Sequence, residues 1–242
     1  MNTACQSIQS PEALEHLIHE MGFLPFFMND IPGFSVSEFV APDYWFPDEG
    51  DGVWEWKGPV IIEGGFAYGK FFNGKAGFIS MDWFPDFVIY RRSVYRLSNE
   101  EQTMLDLLKE HQTLLSKDLK RLCGYTKSRT PSVRNPIARQ VEPSGIVRPK
   151  QPKDRKESFE RAITRLQMGA YVVTADFEYN YDKQGKRYGW GVSRFCTPEA
   201  FFGETPFTGL EREPAESYRR LFRHLETLLP WATHQQITHL IG

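Results

Sequence analysis

Apolar residues near the start of the chain recur at the spacing of an amphipathic helix. This helix is predicted to begin at Pro11, with Ser10 as its N-cap, and to end at Gly22. Its apolar stripe consists of Leu14, Leu17, Ile18 and Met21. The stretch from Phe23 to Tyr95 then holds 20 of the 35 aromatic residues of the chain, broken by prolines. We expect the first 95 residues to form a separate unit with an aromatic core.

The middle of the chain predicts three helices in succession. The capping box Ser98–Glu101 starts a helix over about residues 99–111. A short helix capped by Ser116 and closed by Gly124 follows it. The third helix extends over about residues 158–168, with apolar side chains on one face and polar ones on the other.

Alternating apolar and polar residues follow the third helix directly. The alternation from Tyr171 to Tyr179 predicts a strand, Asp182–Gly185 predicts a turn, and the stretch from Lys186 to Cys196 completes a hairpin. Three helices followed by a hairpin are typical of a winged helix-turn-helix. In that fold the third helix enters the major groove and the wing rests on the DNA backbone. The predicted class is therefore α+β, with a winged helix as the central domain.

Basic side chains on these elements are the candidate nucleic-acid contacts. Arg161 and Arg165 lie one turn apart on the predicted solvent face of the third helix, so both can reach one groove. Asp176 and Glu178 oppose this interpretation, because they would repel a phosphate brought against the first strand of the hairpin. A structural or protein-binding role for the winged helix therefore stays open. The candidate set is Lys117, Lys120, Arg121, Arg161, Thr164, Arg165, Lys183, Lys186 and Arg187.

Charge is distributed very unevenly although the formal net charge is only -2. Residues 1–63 contain eleven acidic side chains against one basic side chain, Lys57, which gives a net charge of -10. From Lys120 to Lys156, eleven basic side chains stand against two acidic ones, a net charge of +9. Residues 125–156 also contain five prolines and no helical period, so they are predicted to form a basic insertion that adds salt-sensitive affinity for nucleic acid.

These features divide the chain into three predicted parts. Residues 1–95 form the acidic aromatic unit, residues 96–203 the winged helix with its insertion, and residues 204–242 a C-terminal helical part. A helix over about residues 215–229 has one apolar face, which packs either within the fold or against a second copy. The sequence leaves the oligomeric state open.

The sequence gives little support for a membrane protein, for disulfide bonds, or for metal and nucleotide binding. No apolar run approaches the roughly 18 residues needed to span a bilayer, and the N-terminus lacks the pattern of a signal peptide, so we expect a cytoplasmic protein without a membrane partner.

The three cysteines lie far apart, which argues against disulfides and zinc. His16 and His19 lack a distant partner group and are interpreted as surface histidines. Gly64–Lys70 matches the start of a phosphate-binding loop, but Phe71 replaces the required hydroxyl, so we expect an aromatic-packed hairpin there and no cofactor or metal.

Five short blocks occur in order along the chain: Trp54–Pro59, Tyr68–Phe78, Tyr90–Arg92, Asp118–Leu122 and Arg165–Met168. Together with the capping box they resemble the bacterial proteins called AlkZ-related, over roughly residues 11–203. That group is a short relative of the winged-helix DNA glycosylases that excise alkylated bases and unhook crosslinks. The resemblance implies a tandem winged-helix architecture, with residues 1–95 as a degraded first winged helix.

The resemblance carries over no catalytic residue. The glycosylases concerned have glutamine-containing motifs after the first helix, whereas the stretch from Met21 to Phe27 contains no glutamine. We therefore expect a DNA-binding winged-helix protein linked to DNA repair, without an identifiable catalytic motif. Two alternatives stay open: an active glycosylase on alkylated bases, and a protein-interaction module that uses the acidic aromatic unit as its docking surface.

Overall fold

The computed structural model describes residues 8–125, 157–185 and 187–242. Within these residues the chain forms ten α-helices and two antiparallel three-stranded sheets, which confirms the predicted α+β class. Of the predicted basic insertion, only Tyr125 is described, and the candidate residue Lys186 also lies outside the described residues.

The first unit is helical and contains one small sheet. Ser10 caps the first helix by accepting a hydrogen bond from the Ala13 backbone, and Gly22 ends the helix, as predicted. The glycine-rich stretch after Gly64 forms a hairpin packed with aromatic side chains, also as predicted. Its elements are α1 (Pro11–Met21), β1 (Phe23–Pro25), α2 (Val36–Phe39), α3 (Val53–Gly64), β2 (Ala67–Phe72), β3 (Lys75–Ile79) and α4 (Phe84–Val94).

The second unit matches the predicted helices and hairpin closely. The capping box of Ser98 and Glu101 is formed in both directions. Ser116 is the first residue of its helix and not the cap, because the cap position is occupied by Leu115 at the end of a short strand. The elements are α5 (Asn99–His111), β4 (Thr113–Leu115), α6 (Ser116–Leu122), α7 (Phe159–Met168), β5 (Val173–Tyr181) and β6 (Arg187–Cys196).

The two units repeat one topology. In each, a helix leads into a short strand, two more helices follow, and a hairpin completes the sheet. The strand orders are β1-β3-β2 and β4-β6-β5, so the short strand pairs with the last strand of its unit in both. The registers also correspond, since Ile79 pairs with both Phe23 and Ala67, and Cys196 pairs with both Thr113 and Val173.

The units pack against each other reciprocally. Helix α3 of the first unit contacts β5, helix α7 of the second unit contacts β2, and β2 and β5 contact each other. One hydrophobic core runs through the first unit and includes Val173, Ala175 and Cys196 from the second. Each third helix therefore lies beside the hairpin of the other unit.

The C-terminal helices cover the first unit. Pro198–Phe202 forms α8, Pro214–Leu228 forms α9, and His234–Ile241 forms α10. Helix α9 packs along α4, and α10 packs on α9. The apolar face predicted around residues 215–229 is thus used within the fold, where Leu221 and Leu225 are fully buried.

Candidate nucleic-acid interface

Helix α7 has one buried and one solvent-facing side. Ser158 caps it by accepting a hydrogen bond from the Arg161 backbone N–H. The buried side packs into the core of the second unit and consists of Phe159, Ala162, Ile163 and Leu166. This packing leaves Arg161 exposed, and Thr164 and Arg165 half-buried. The predicted polar face of the third helix is therefore present.

Arg161 is the most accessible of the three side chains. Its side chain is 73% exposed and forms an ion pair with Glu157, with 2.8 Å between Nε and Oε1. Exposed ion pairs contribute only about 0–1 kcal/mol. The guanidinium can therefore leave Glu157 for a phosphate or a base edge at little cost.

Arg165 forms an ion pair with a buried carboxylate of α5. Its Nε lies 2.6 Å from Oε1 of Glu101, and its Nη2 donates to the carbonyl oxygen of Arg96. The side chain of Glu101 is only 1% exposed, and it also accepts from the Ser98 backbone N–H. The hydrogen bond with Glu101 raises the pKa of Arg165. This pair ties α7 to the start of α5.

Replacing Arg165 with methionine is expected to lower the free energy of unfolding by about 2 kcal/mol, because a buried carboxylate then loses its cation. Urea denaturation would measure the loss. The double variant Glu101→Gln, Arg165→Met removes the stranded charge and should recover part of that stability. Wild-type stability in the single variant would instead mean that the pair contributes nothing to the fold.

The hairpin of the first unit brings a further lysine to the face of α7. Nζ of Lys70, on β2, lies 3.4 Å from the hydroxyl of Thr164. The backbone N–H of Lys70 donates to Oε1 of Gln167, a buried residue of α7, over 3.1 Å. At the hairpin turn, a Cβ built on Gly74 would lie 3.4 Å from Cγ2 of Thr164. The backbone of the hairpin is thus fixed against α7 while the ammonium of Lys70 stays in solvent.

Helix α6 contains three basic side chains, one of which reaches α7. Nζ of Lys120 lies 2.5 Å from Oε1 of Glu160 and above the ring of Phe159, so it reaches α7 directly. Arg121 is exposed and lies 3.6 Å from Asp118 on its own helix. Lys117 is exposed at the first turn. Lys120 joins Arg161, Thr164 and Lys70 in one basic region, and Lys117 and Arg121 add positive charge to the surface of α6.

The second hairpin does not join this region through Arg187. Its Nη2 lies 3.0 Å from Asp51 and 3.3 Å from Glu55, on the other side of the unit boundary. Its guanidinium also lies over the ring of Tyr179. Lys183 is exposed in the turn of the hairpin. The two acidic residues of β5 are engaged locally, because Glu178 pairs with Arg194 and Asp176 accepts from the Phe177 backbone.

Lys57 lies buried on α3, at the boundary between the units. Its Nζ is 3.2 Å from the ring centroid of Trp54 and 4.5 Å from that of Phe177. Burial lowers the pKa of Lys57 to about 7, and the nearby charge of Glu55 offsets only part of this effect. Among the described residues, no carboxylate forms an ion pair with it.

A polar cavity of about 650 Å³ opens between α5 and α8. Its charged lining includes Arg92, Lys109 and Glu199. Arg92 and Glu199 lie 2.5 Å apart and neutralise each other, and Arg92 also donates to the carbonyl oxygen of Ala170. These two charges of the cavity lining are therefore already paired with each other.

Metal-ligating side chains do not cluster in the described ranges. Those ranges hold no group of three or more His, Cys, Asp or Glu side chains able to share a metal ion. His16 pairs with Glu20 on the surface, and His19 packs edge-on against Phe66. No helix in the described part of the chain is long and apolar enough to cross a membrane.

Comparison with known proteins gives a family and no individual relative. No curated protein and no solved structure matches the chain significantly. The model of a family described as "AlkZ related" matches residues 8–242, which is nearly the whole chain. The resemblance seen in the short sequence blocks is thereby confirmed, and the chain belongs to the AlkZ-related family.

Proposed function

We propose that this protein is a tandem winged-helix protein that binds DNA in a repair-related role, through the basic region formed by α7, α6 and the first hairpin. The AlkZ-related family suggests the connection to DNA repair. The observation that carries the proposal is the convergence of Arg161, Lys120 and Lys70, from three separate elements, around the exposed face of α7.

The repeated topology supports the winged-helix assignment. Each unit has the order of a winged helix, in which the third helix is the recognition helix and the hairpin is the wing. In this arrangement α7 is the recognition helix of the second unit. The wing nearest to its solvent face is the hairpin of the first unit, since Lys70 and Gly74 both lie against Thr164.

The charge of the face favours phosphate contacts over base reading. Lys70, Lys117, Arg121 and Arg161 are exposed, and the ion pairs that Arg121 and Arg161 form are surface pairs of little strength. Arg165 is held by Glu101, so it stabilises the position of α7 rather than contacting DNA. Binding is thus expected to be dominated by the release of counterions from phosphate.

The segment after α1 favours binding without base excision. In the resembled glycosylases this region carries glutamines, whereas here it forms β1, and Phe23, Leu24 and Phe26 pack in the core. The expected activity is therefore recognition, with Arg161 and Lys70 as positioning contacts.

Fluorescence anisotropy with a labelled duplex, plain and alkylated, tests the proposal. The variant Lys70→Gln, Arg161→Gln is expected to bind about tenfold more weakly at low salt. Its salt dependence should flatten by about 0.9 in the slope of log affinity against log salt for each phosphate that the variant no longer neutralises.

The matched control is Lys109→Gln, Arg219→Gln, which removes the same charge from exposed positions on α5 and α9. It should bind nearly as the wild type does. Absence of binding at low salt, binding that ignores salt, or an equal loss in the control would overturn the proposal. Release of free base from the alkylated duplex would instead show that the protein is an active glycosylase.

A further inference from the structure

The first strands of the two hairpins place charges of opposite sign near the neighbouring unit. Ala67 and Val173 occupy the same register position in their sheets. Three residues further along each strand stand Lys70 and Asp176. Lys70 lies against α7, whereas a Cβ built on Gly58 of α3 would be 3.6 Å from a carboxylate oxygen of Asp176. A carboxylate of β5 thus lies against α3, whereas an ammonium of β2 lies near α7.

A cluster of aromatic rings is exposed beside α3. Trp190 on β6 is 66% exposed and Phe46 is 60% exposed. The ring of Trp190 lies 5.3 Å from Trp54 and 6.0 Å from Phe46, both edge-on. Large rings exposed together in this way are typical of interaction sites. We call this cluster, with the carboxylates of the adjoining loop, the acidic aromatic surface: Phe46, Trp54, Trp190, Asp48, Glu49 and Asp51.

Two of the three carboxylates of this surface have no ion-pair partner among the described residues. Asp48 and Glu49 are exposed and form no ion pair with a described residue, while Asp51 pairs with Arg187. Lys57 is the only Lys or Arg residue in the first 63 positions, and it is buried. The surface therefore presents rings and negative charge to solvent.

The rings already hold one cation on their inner side. The ammonium of Lys57 lies over Trp54 and Phe177 from within the fold. The outer rings of Phe46 and Trp190 are open to solvent. Cations are attracted to the faces of such rings, and guanidinium groups most often supply them.

We propose that the acidic aromatic surface binds an arginine- and lysine-rich segment of a partner protein. Carboxylates steer a cationic chain toward the surface, and the rings then stack on its guanidinium groups. Nucleic acid also stacks on exposed aromatic rings, but its phosphates would be repelled by Asp48 and Glu49. The site is separate from the DNA face on α7, so the two proposals stand or fall independently.

Tryptophan fluorescence and anisotropy with a labelled arginine–glycine peptide test this inference, with an oligothymidylate as the competing probe. The wild type is expected to bind the peptide at low and at near-physiological ionic strength and to ignore the oligothymidylate at this site. Trp190→Ala should weaken peptide binding at least about tenfold, as truncation of an aromatic anchor does. Asp48→Asn, Glu49→Gln should weaken it more at low salt than at high salt.

Two controls separate the surface from general acidity. Trp231→Ala removes another exposed tryptophan, and Glu110→Gln, Glu216→Gln removes two exposed carboxylates elsewhere. Both should bind the peptide as the wild type does. Peptide binding that is insensitive to Trp190, an equal loss in the controls, or Trp190-dependent binding of the oligothymidylate would overturn the inference. Duplex binding through Lys70 and Arg161 should be unchanged in Trp190→Ala.

Discussion

Replacing Lys57 with methionine is expected to raise the free energy of unfolding by about 3 kcal/mol at pH 7. Burial lowers the pKa of this lysine from 10.5 to about 7. Each pKa unit corresponds to about 1.4 kcal/mol, so burying the charged form costs at most about 5 kcal/mol. Methionine fills a similar volume but gives up the cation–π contacts, which are worth about 1–2 kcal/mol.

The gain should depend on pH in a definite direction. The unfolded chain binds a proton at Lys57 up to about pH 10.5, whereas the folded chain loses it near pH 7. The cost of the lysine is therefore fully present below pH 7 and disappears as the pH rises toward 10.5. The stability difference between variant and wild type should shrink between pH 7 and the upper end of that range.

Urea denaturation of both proteins across this pH range would measure the difference, in which all other titrating groups cancel. Lys109→Met is the control, because Lys109 is exposed on α5 and its replacement should change stability by less than about 0.5 kcal/mol. A methionine variant that is less stable than the wild type at pH 7 would mean that the rings of Trp54 and Phe177 hold the charged lysine favourably.

The second unit is predictable because its signals are local. The capping box of Ser98 and Glu101, the stop at Gly169 and the alternation through β5 each depend on a few adjacent residues. The short strand β4 escapes prediction. Its three residues pair only with β6, far along the chain, and a strand of that length has no periodicity of its own.

The first unit is harder to predict because α3 contradicts local propensity. Gly58 and Pro59 both lie inside it, and each disfavours a helix interior. The helix is buried along much of its length between α1 and β5, so its apolar residues do not form a single stripe. Tertiary packing stabilises this helix. The sequence of residues 53–64 alone therefore does not predict it.

The candidate site is predictable only in part, for a related reason. Arg161 and Lys120 stand on predicted helices, so the sequence identifies them as candidates. Lys70 stands in glycine-rich surroundings that resemble a phosphate-binding loop, and only the reciprocal packing of the units brings it to Thr164. The ion pair of Arg165 cannot be predicted either, because the sequence indicates Glu101 only as a member of a capping box. A side chain that contributes to two elements can be recognised from the sequence only in the element whose local pattern contains it.

Replacing Asp86 with alanine is expected to lower the free energy of unfolding by about 3 kcal/mol. This carboxylate on α4 is 2% exposed and accepts from Arg212, Ser217 and Arg220. Alanine would leave the buried hydroxyl of Ser217 and two guanidinium groups without their acceptor. The two arginines are partly exposed and can rehydrate, which keeps the expected loss at the lower end for a broken buried pair.

The loss should be largest at neutral pH and should fade in acid. Burial acts to raise the pKa of Asp86, but the hydrogen bonds from Ser217, Arg220 and Arg212 outweigh it and lower the pKa below 3.8. The contribution of Asp86 is thus present above the pKa of the unfolded state and is lost as the pH falls through the pKa of the folded state.

Urea denaturation, with hydrogen exchange across α9, would measure both the loss of stability and its location. Asp82→Ala, at an exposed position just before α4, should change stability by less than about 0.5 kcal/mol. A similar loss in both variants, or an undiminished difference in acid, would mean that Asp86 does not anchor α9 to the first unit.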